Sequence, residues 1–196
     1  MRVLIACEYS GRVREAYRER GHDAWSNDIL PADSEFHFQG DCFDAIDARH
    51  WDLIIMHPPC TALCVSGNRY YGIGMAKHQE RLEAIQWTTK LFEYAKSRAA
   101  HVAMENPVGV LPFKATQYIQ PFLFGHGETK KTGLWLHNLP PLLPTNIVSG
   151  REQKIWKMGP SPERAKLRSL TYQGIADAMA EQWGDGAGEQ QERLFA

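Results

Sequence analysis

Cys60 stands in the run His57-Pro58-Pro59-Cys60-Thr61, directly after the apolar stretch Asp52-Leu53-Ile54-Ile55-Met56. Two consecutive prolines fix φ and remove two backbone donors, so the thiol is held in one place at the end of a β-type run. In open α/β sheets that edge is where ligands bind. A cysteine presented in this way is a candidate nucleophile. Glu105-Asn106-Pro107 follows a second apolar run at 101–104 and brings a carboxylate to the same edge, an acid–base partner for the thiol. Asparagine before proline also reads as a plain turn.

Three further positions suggest a nucleoside-type ligand. Tyr9-Ser10-Gly11 closes a first strand and opens a helix, where free N–H groups and a small residue can admit a polar end. Asp28 ends a second strand, where acidic side chains commonly bond ribose hydroxyls. Asp41 can hold an amino group of a base or an amino acid. Each of the three taken alone also reads as a turn or cap residue.

The elements that must position these groups are legible as an alternation. Residues 2–6 and 23–29 read as strands, 12–20 as a helix ended by Gly21, and 52–56 as a strand. Residues 32–51 read as a short mixed segment and 61–76, with Gly67, Gly72 and Gly74, as an irregular loop. Residues 77–99 read as a long amphipathic helix burying Leu82, Ile85, Phe92 and Ala95. Strands at 101–104 and 132–136 and a final helix at 172–183 complete the reading, with 139–144 and 151–168 as loops. Strands alternating with helices predict an α/β fold: a mainly parallel, doubly wound sheet with helices on both faces. Residues 1–183 are expected to form one domain, followed by a flexible tail.

The chain has 196 residues, 43% of them hydrophobic, enough for one core. Its apolar runs are strand-length, so neither export nor membrane spanning is expected. Cys7, Cys42, Cys60 and Cys64 are too scattered for a disulfide framework and read as reduced thiols of a cytoplasmic protein. Cys7 and Cys42 are most simply buried small residues. His57 and Cys64 flank Cys60, but two more ligands at metal spacing are missing, and no metal is expected. Net charge is −1, yet Arg151, Lys154, Lys157, Arg164, Lys166 and Arg168 cluster around Trp156 against Glu152 and Glu163 alone. Such a cluster is either an ordinary solvated face or a phosphate-contacting segment with one stacking aromatic.

Tyr-Ser-Gly at 9–11, Pro-Pro-Cys at 58–60 and Glu-Asn-Pro at 105–107 resemble the motifs of the cytosine-5 DNA methyltransferases, usually Phe-x-Gly-x-Gly, Pro-Cys and Glu-Asn-Val. The resemblance runs from Arg2 to about Trp183. It is closest to the short phage- and prophage-borne members, through Gly-His-Gly-Glu-Thr-Lys and Gly-Leu-Trp-Leu within 125–136, Leu-Pro-Pro-Leu at 139–142 and Pro-Thr-Asn at 144–146. It implies a Rossmann-like fold that uses S-adenosylmethionine. Cys60 would add to carbon 6 of a flipped cytosine, and Glu105 would bond ring nitrogen N3 and the exocyclic amine. Lys130 or Lys131 would help hold the base. The cofactor would meet Tyr9, Ser10, Gly11, Asp28, Ile29, Asp41, Cys42, His57 and Pro58, with Ala176 in the segment that closes its site. DNA, duplex or single-stranded, would meet Asn106 and the basic segment.

The chain departs from that pattern in three places. Lysine stands where the family has arginine, without its bidentate fork. Only Gly11 of the glycine-rich turn is present. The stretch between Trp135 and Tyr172 is too short for the family's target-recognition domain, so specificity is expected to be low, short or borrowed. The same chemistry on a free nucleotide or single strand would explain that gap, and a cofactor-binding module without catalysis is the rival from another class. After Trp183 the composition turns polar and glycine-rich, ending Gln191-Glu192-Arg193-Leu194-Phe195-Ala196. Gln191 to Phe195 resembles the peptide that docks on the bacterial replication sliding clamp.

Overall fold

The computed structural model describes residues 1–157, 161 and 167–185. Seven strands, β1 (Arg2–Ala6), β2 (Asp23–Asp28), β3 (His37–Gln39), β4 (Trp51–Met56), β5 (Ala99–Pro107), β6 (Gln117–Ile119) and β7 (Thr132–His137), pair into one sheet. Their order is β3-β2-β1-β4-β5-β7-β6. The first five are mutually parallel, whereas β7 runs antiparallel between β5 and β6. The chain runs outward from β1 to β3 and then returns to β4. The carboxyl ends of β1 and β4 therefore flank the switch point at which such sheets take ligands.

Alternation within the strands fills two cores. Val3, Ile5, Leu53 and Ile55 face the helices α1 (Arg12–Glu19) and Gln173–Met179, meeting Val13, Tyr17, Ile175 and Met179. Leu4, Ala6, Ile54 and Met56 face α2 (Cys42–Asp47) and the helix His78–Lys96, meeting Ile46, Leu91, Phe92 and Ala95. Both faces are covered, which is why β1 and β4 read as continuous apolar runs. In chain order the further helices are the one-turn α3 (Asn68–Tyr71), the long α4 (His78–Lys96), the one-turn α5 (Lys154–Lys157) and α6 (Gln173–Met179), the last continued by a π-type turn at Ala180–Asp185.

The α/β architecture is as expected from the sequence, with local corrections. The loop at 61–76 holds a 3-10 turn (Val65–Gly67) and α3. β5 begins at Ala99 and continues through Glu105, Asn106 and Pro107, because antiparallel pairing with β7 holds those residues extended. β6 had no sequence signal beyond three residues, and its pairing with β7 makes it a strand. Leu82 is 47% exposed. The inner face of α4 is set by Arg81, Thr88, Leu91, Phe92 and Ala95, and Leu82 lies ~100° around the helix from Arg81. No helix among the described residues is long and apolar enough to cross a membrane. Arg164, Lys166 and the end at Gln191 to Phe195 lie outside the described residues, as does the side chain of Trp156.

The last helix is seated by Gly174, whose N–H donates to His126 Nε2 at 3.0 Å. A Cβ at this position would stand 1.9 Å from the Phe124 carbonyl oxygen, a backbone atom that cannot swing aside. Gly174→Ala is therefore expected to cost about 2 kcal/mol or more, read as a lower urea midpoint with an unchanged slope. A variant as stable as the parent would show that the 124–126 turn yields freely.

Candidate active site

β4 and β5 pair in a register that sets Met56 beside Met104. The next residues on the two strands are His57 and Glu105, and they meet. His57 Nδ1 lies 3.1 Å from Glu105 Oε2, with side chains 7% and 17% exposed. A carboxylate can only accept, so Nδ1 carries the hydrogen. The backbone N–H of His57 donates to Ala6 O at 2.9 Å, extending the β1 pairing to the first residue of the loop.

The Pro-Pro-Cys loop is braced on three sides. Asn106 is buried, and its Nδ2 donates to Pro58 O at 2.9 Å. The N–H groups of Leu63 and Cys64 donate back to Cys60 O at 3.1 and 3.0 Å, and Val110 N–H donates to Leu63 O at 3.0 Å. From α4, Arg81 reaches in with only 5% exposure. Its Nε donates to Ala62 O at 2.7 Å, its Nη2 to Cys64 O at 3.2 Å and its Nη1 to Asn68 Oδ1 at 2.8 Å. Arg81 had no sequence signal, because its position within a helix says nothing about which loop it meets.

Two opposed shifts follow from the surroundings. Burial pushes the Cys60 thiol up, and Glu105 and Cys64 add to this, while Arg168 and Lys130 pull it down; the net effect is a raised value. Burial would also raise the Glu105 carboxyl. The His57 hydrogen bond, the positive charge of Lys130, the electrostatic influence of the His57 ring and the Thr132 hydroxyl outweigh it, and the carboxyl sits below its ordinary value.

The two lysines take different places. Lys130 Nζ donates to Arg168 O at 2.8 Å and lies near Glu105 and Cys60, tying the 168–170 segment over the site. Lys131 is exposed, with its ammonium 4.5 Å above the Tyr118 ring on the edge strand. Arg168 brings the nearer fork: its Nη2 donates to Cys64 Sγ at 3.6 Å. Of the other basic residues, Lys154 and Lys157 are exposed, and Arg151 folds onto Phe122 and the carbonyls of Val148 and Gly150.

The nucleoside-side residues line the ends of β1 and β2. Gly11, at φ 72°, caps α1. The first turn of that helix is occupied by a carboxylate the sequence reading passed over: buried Glu8 accepts from Val13 N–H at 3.0 Å and Ser10 Oγ at 2.9 Å. Asp28 Oδ1 accepts from Leu30 N–H at 2.9 Å, and Asp41 caps α2 by accepting from Phe43 N–H at 2.7 Å. Both thus have local turn or cap roles. Ile29 is 75% exposed at the end of β2, whereas Cys42 and Ala176 are buried. Tyr9 and Pro58 flank this edge, half-buried and buried respectively. Beyond it a cleft of about 380 Å³ is lined by Arg12, His126, Glu128, Lys154, Tyr172 and Gln173. Tyr172, its hydroxyl 2.8 Å from Glu128 Oε2, also stands under Lys130. Among the described residues no cluster of three His, Cys, Asp or Glu side chains could hold a metal.

Removing the Arg81 guanidinium would strand loop acceptors in the interior. Arg81→Met is expected to cost about 2–4 kcal/mol in urea unfolding; a loss below about 1 kcal/mol would mean that water replaces the side chain. A raised thiol value means that Cys60 is protonated near neutrality and ionises only as pH climbs past the usual thiol range. Its alkylation by iodoacetamide, followed by peptide mass spectrometry, is expected to be at least about tenfold slower at neutral pH than that of free cysteine. A rate that levels off below the usual thiol range would contradict this placement.

No family model and no curated protein matches the sequence. Among solved structures, a prophage-encoded DNA modification methyltransferase from E. coli is similar, with TM-score 0.46 and 11% identity over 82% of this chain and 55% of that one. The Entamoeba histolytica methyltransferase EhMeth gives TM-score 0.46 and 13% identity over 78% and 57%, and the S. pombe Dnmt2 methyltransferase gives 0.45 and 15% over 80% and 54%. The chain spans little more than half the length of each.

Proposed function

We propose that the protein is an S-adenosylmethionine-dependent methyltransferase acting on carbon 5 of cytosine in DNA. The observation that carries this reading is that Glu105 and the loop bearing Cys60 stand at neighbouring strand ends, joined through His57 and Asn106 and near enough for the carboxylate to act on the thiol, at the switch-point edge of a mainly parallel sheet. The sequence motifs at 9–11, 58–60 and 105–107 support it.

Cys60 gives up its proton to the Glu105 carboxylate as its sulfur adds to carbon 6 of an extruded cytosine, and the electrons displaced through the ring reach N3. Glu105 passes that proton to N3, which leaves carbon 5 nucleophilic. The cofactor, when bound, supplies an electrophilic methyl group. Carbon 5 then releases its hydrogen to water, the sulfur–carbon bond breaks, and the N3 proton returns to Glu105. Lys130 and Arg168 stand close enough to offset the charge of the ionised thiol.

The edge fits the cofactor. Asp28 keeps a second carboxylate oxygen for ribose hydroxyls, and exposed Ile29 offers an apolar face to a base. Glu8 fills the start of α1, so a ligand carboxylate is better met by Arg12 and Lys154 in the adjoining cleft. Exposed Lys154 and Lys157 are available to phosphates. The short stretch between Trp135 and Tyr172 favours, as a second reading, a single strand or a free nucleotide as acceptor.

Labelled methyl transfer to duplex DNA, single-stranded DNA and deoxycytidine monophosphate tests this. Label on a DNA acceptor is expected, falling by about three orders of magnitude in Cys60→Ser. Label on the nucleotide alone would select the second reading. Cofactor binding without transfer to any acceptor would leave a module that binds and does not catalyse.

A further inference from the structure

His57 has no role in the chemistry above, yet it is the nearest partner of the residue that does the acid–base work. Its Nδ1 hydrogen is committed to Glu105 Oε2 at 3.1 Å. Its Nε2 is buried and has no hydrogen-bond partner among the described residues. Among the described residues the ring therefore has one polar contact, Glu105. The backbone on either side is held, by Ala6 O before the loop and by the Asn106 amide on Pro58 after it.

We propose that His57 acts through Glu105, setting the acidity with which that carboxyl serves the ring nitrogen. This rests on the methyltransferase reading. In the proposed step Cys60 gives its proton to the Glu105 carboxylate as the sulfur–carbon 6 bond forms, the displaced electron pair settles on N3, and N3 takes that proton from Glu105. Glu105 becomes a carboxylate at that moment, and the hydrogen bond from Nδ1 becomes charge-assisted, roughly twice as strong as its neutral counterpart. The imidazole thus favours the stage at which the proton has left Glu105. The N3 proton returns to Glu105 when Cys60 departs, so His57 neither gains nor loses a proton over the cycle. The other groups facing Glu105 are Lys130 and Thr132 at the entry to β7 and Cys60 on the loop after β4; Lys130 supplies charge and Thr132 a hydroxyl. The imidazole N–H reaches Glu105 because the β4–β5 register sets the residues after Met56 and Met104 side by side.

Two variants separate tuning from packing. His57→Asn keeps an N–H near the position of Nδ1, and His57→Leu keeps bulk without a donor. With carbon-labelled glutamate, NMR titration of the Glu105 carboxyl is expected to move up by about one pH unit in His57→Leu, a tenfold loss of acidity, and by much less in His57→Asn. Methyl transfer should fall at least about tenfold in kcat in His57→Leu, with KM for DNA unchanged, and be largely restored in His57→Asn. If leucine prevents folding, nitrogen NMR on the parent and on Glu105→Gln decides: the Nδ1-protonated tautomer should dominate in the parent and become mixed without the carboxylate. An unmoved Glu105 titration in folded His57→Leu, equal losses in both variants, or an unchanged tautomer in Glu105→Gln would overturn the role of His57 while leaving an active parent enzyme explained. A parent protein that transfers no methyl group would overturn the methyltransferase reading and this role with it.

Discussion

The register between β4 and β5 is the constraint on which the site depends. Met56 lies beside Met104, and so the histidine and glutamate that follow them come together although they are far apart in the chain. Side chains alternate along a strand, so a slip of one residue would turn Glu105 away from His57 and carry Met104 out of the core. Burial on both faces forbids that slip: Ile54, Met56, Val102 and Met104 fill one layer, and Leu53, Ile55 and Ala103 the other. The geometry of the chemistry is in this sense a by-product of apolar packing. The antiparallel β7 adds to it, since its pairing keeps Glu105, Asn106 and Pro107 extended and delivers Lys130 and Thr132 to the same edge.

The surroundings at that edge shift Cys60 and Glu105 in opposite directions, although burial acts on both in the same sense. It works against both charged forms, but Glu105 receives a hydrogen bond and nearby cations, while the Cys60 thiol has a carboxylate and a second thiol among its neighbours. The resting state is an ionised carboxylate beside a protonated thiol. Such a pair is quiet towards solvent, because the thiol is not standing charged in a half-open loop. Anything that protonates Glu105, or holds it neutral, removes one of the influences that keep the thiol protonated. Ionisation of Cys60 and protonation of Glu105 are thereby linked through charge.

The strands and the long helix could be read from the sequence because each is written in local periodicity. The apolar runs at 2–6 and 52–56 are continuous because both faces of the sheet are covered, and Pro58 and Pro59 mark where β4 stops. The phase of α4 was less legible. Leu82 looks like a core residue, but buried Arg81 claims the inner face by satisfying loop carbonyls. β6 could not be seen, since three residues owe their extended state to a neighbour that is distant in sequence. Within the site the candidate residues were identifiable by type and position. Their pairings were not: His57 with Glu105, Arg168 with Cys64 and Lys130 with the carbonyl of Arg168 all join distant segments.

Lys130 shows how a lysine at this edge divides the labour with a neighbouring arginine. Lysine offers a point charge on a flexible stem, not a planar fork. Here that charge is directed at the Arg168 carbonyl, and the segment it holds brings the Arg168 guanidinium to the thiols. The same economy appears at α1, where Glu8 takes N–H groups that a glycine-rich turn would leave for a ligand, and the cations lie instead in the cleft beside Tyr172. In both places a group that could meet a ligand directly is spent on the protein, and a second group farther along the chain stands open. The segments at 125–131 and 167–173 that hold this edge together also form its walls. Binding and bracing then cannot be varied independently, which limits how far such a site can drift while the fold persists.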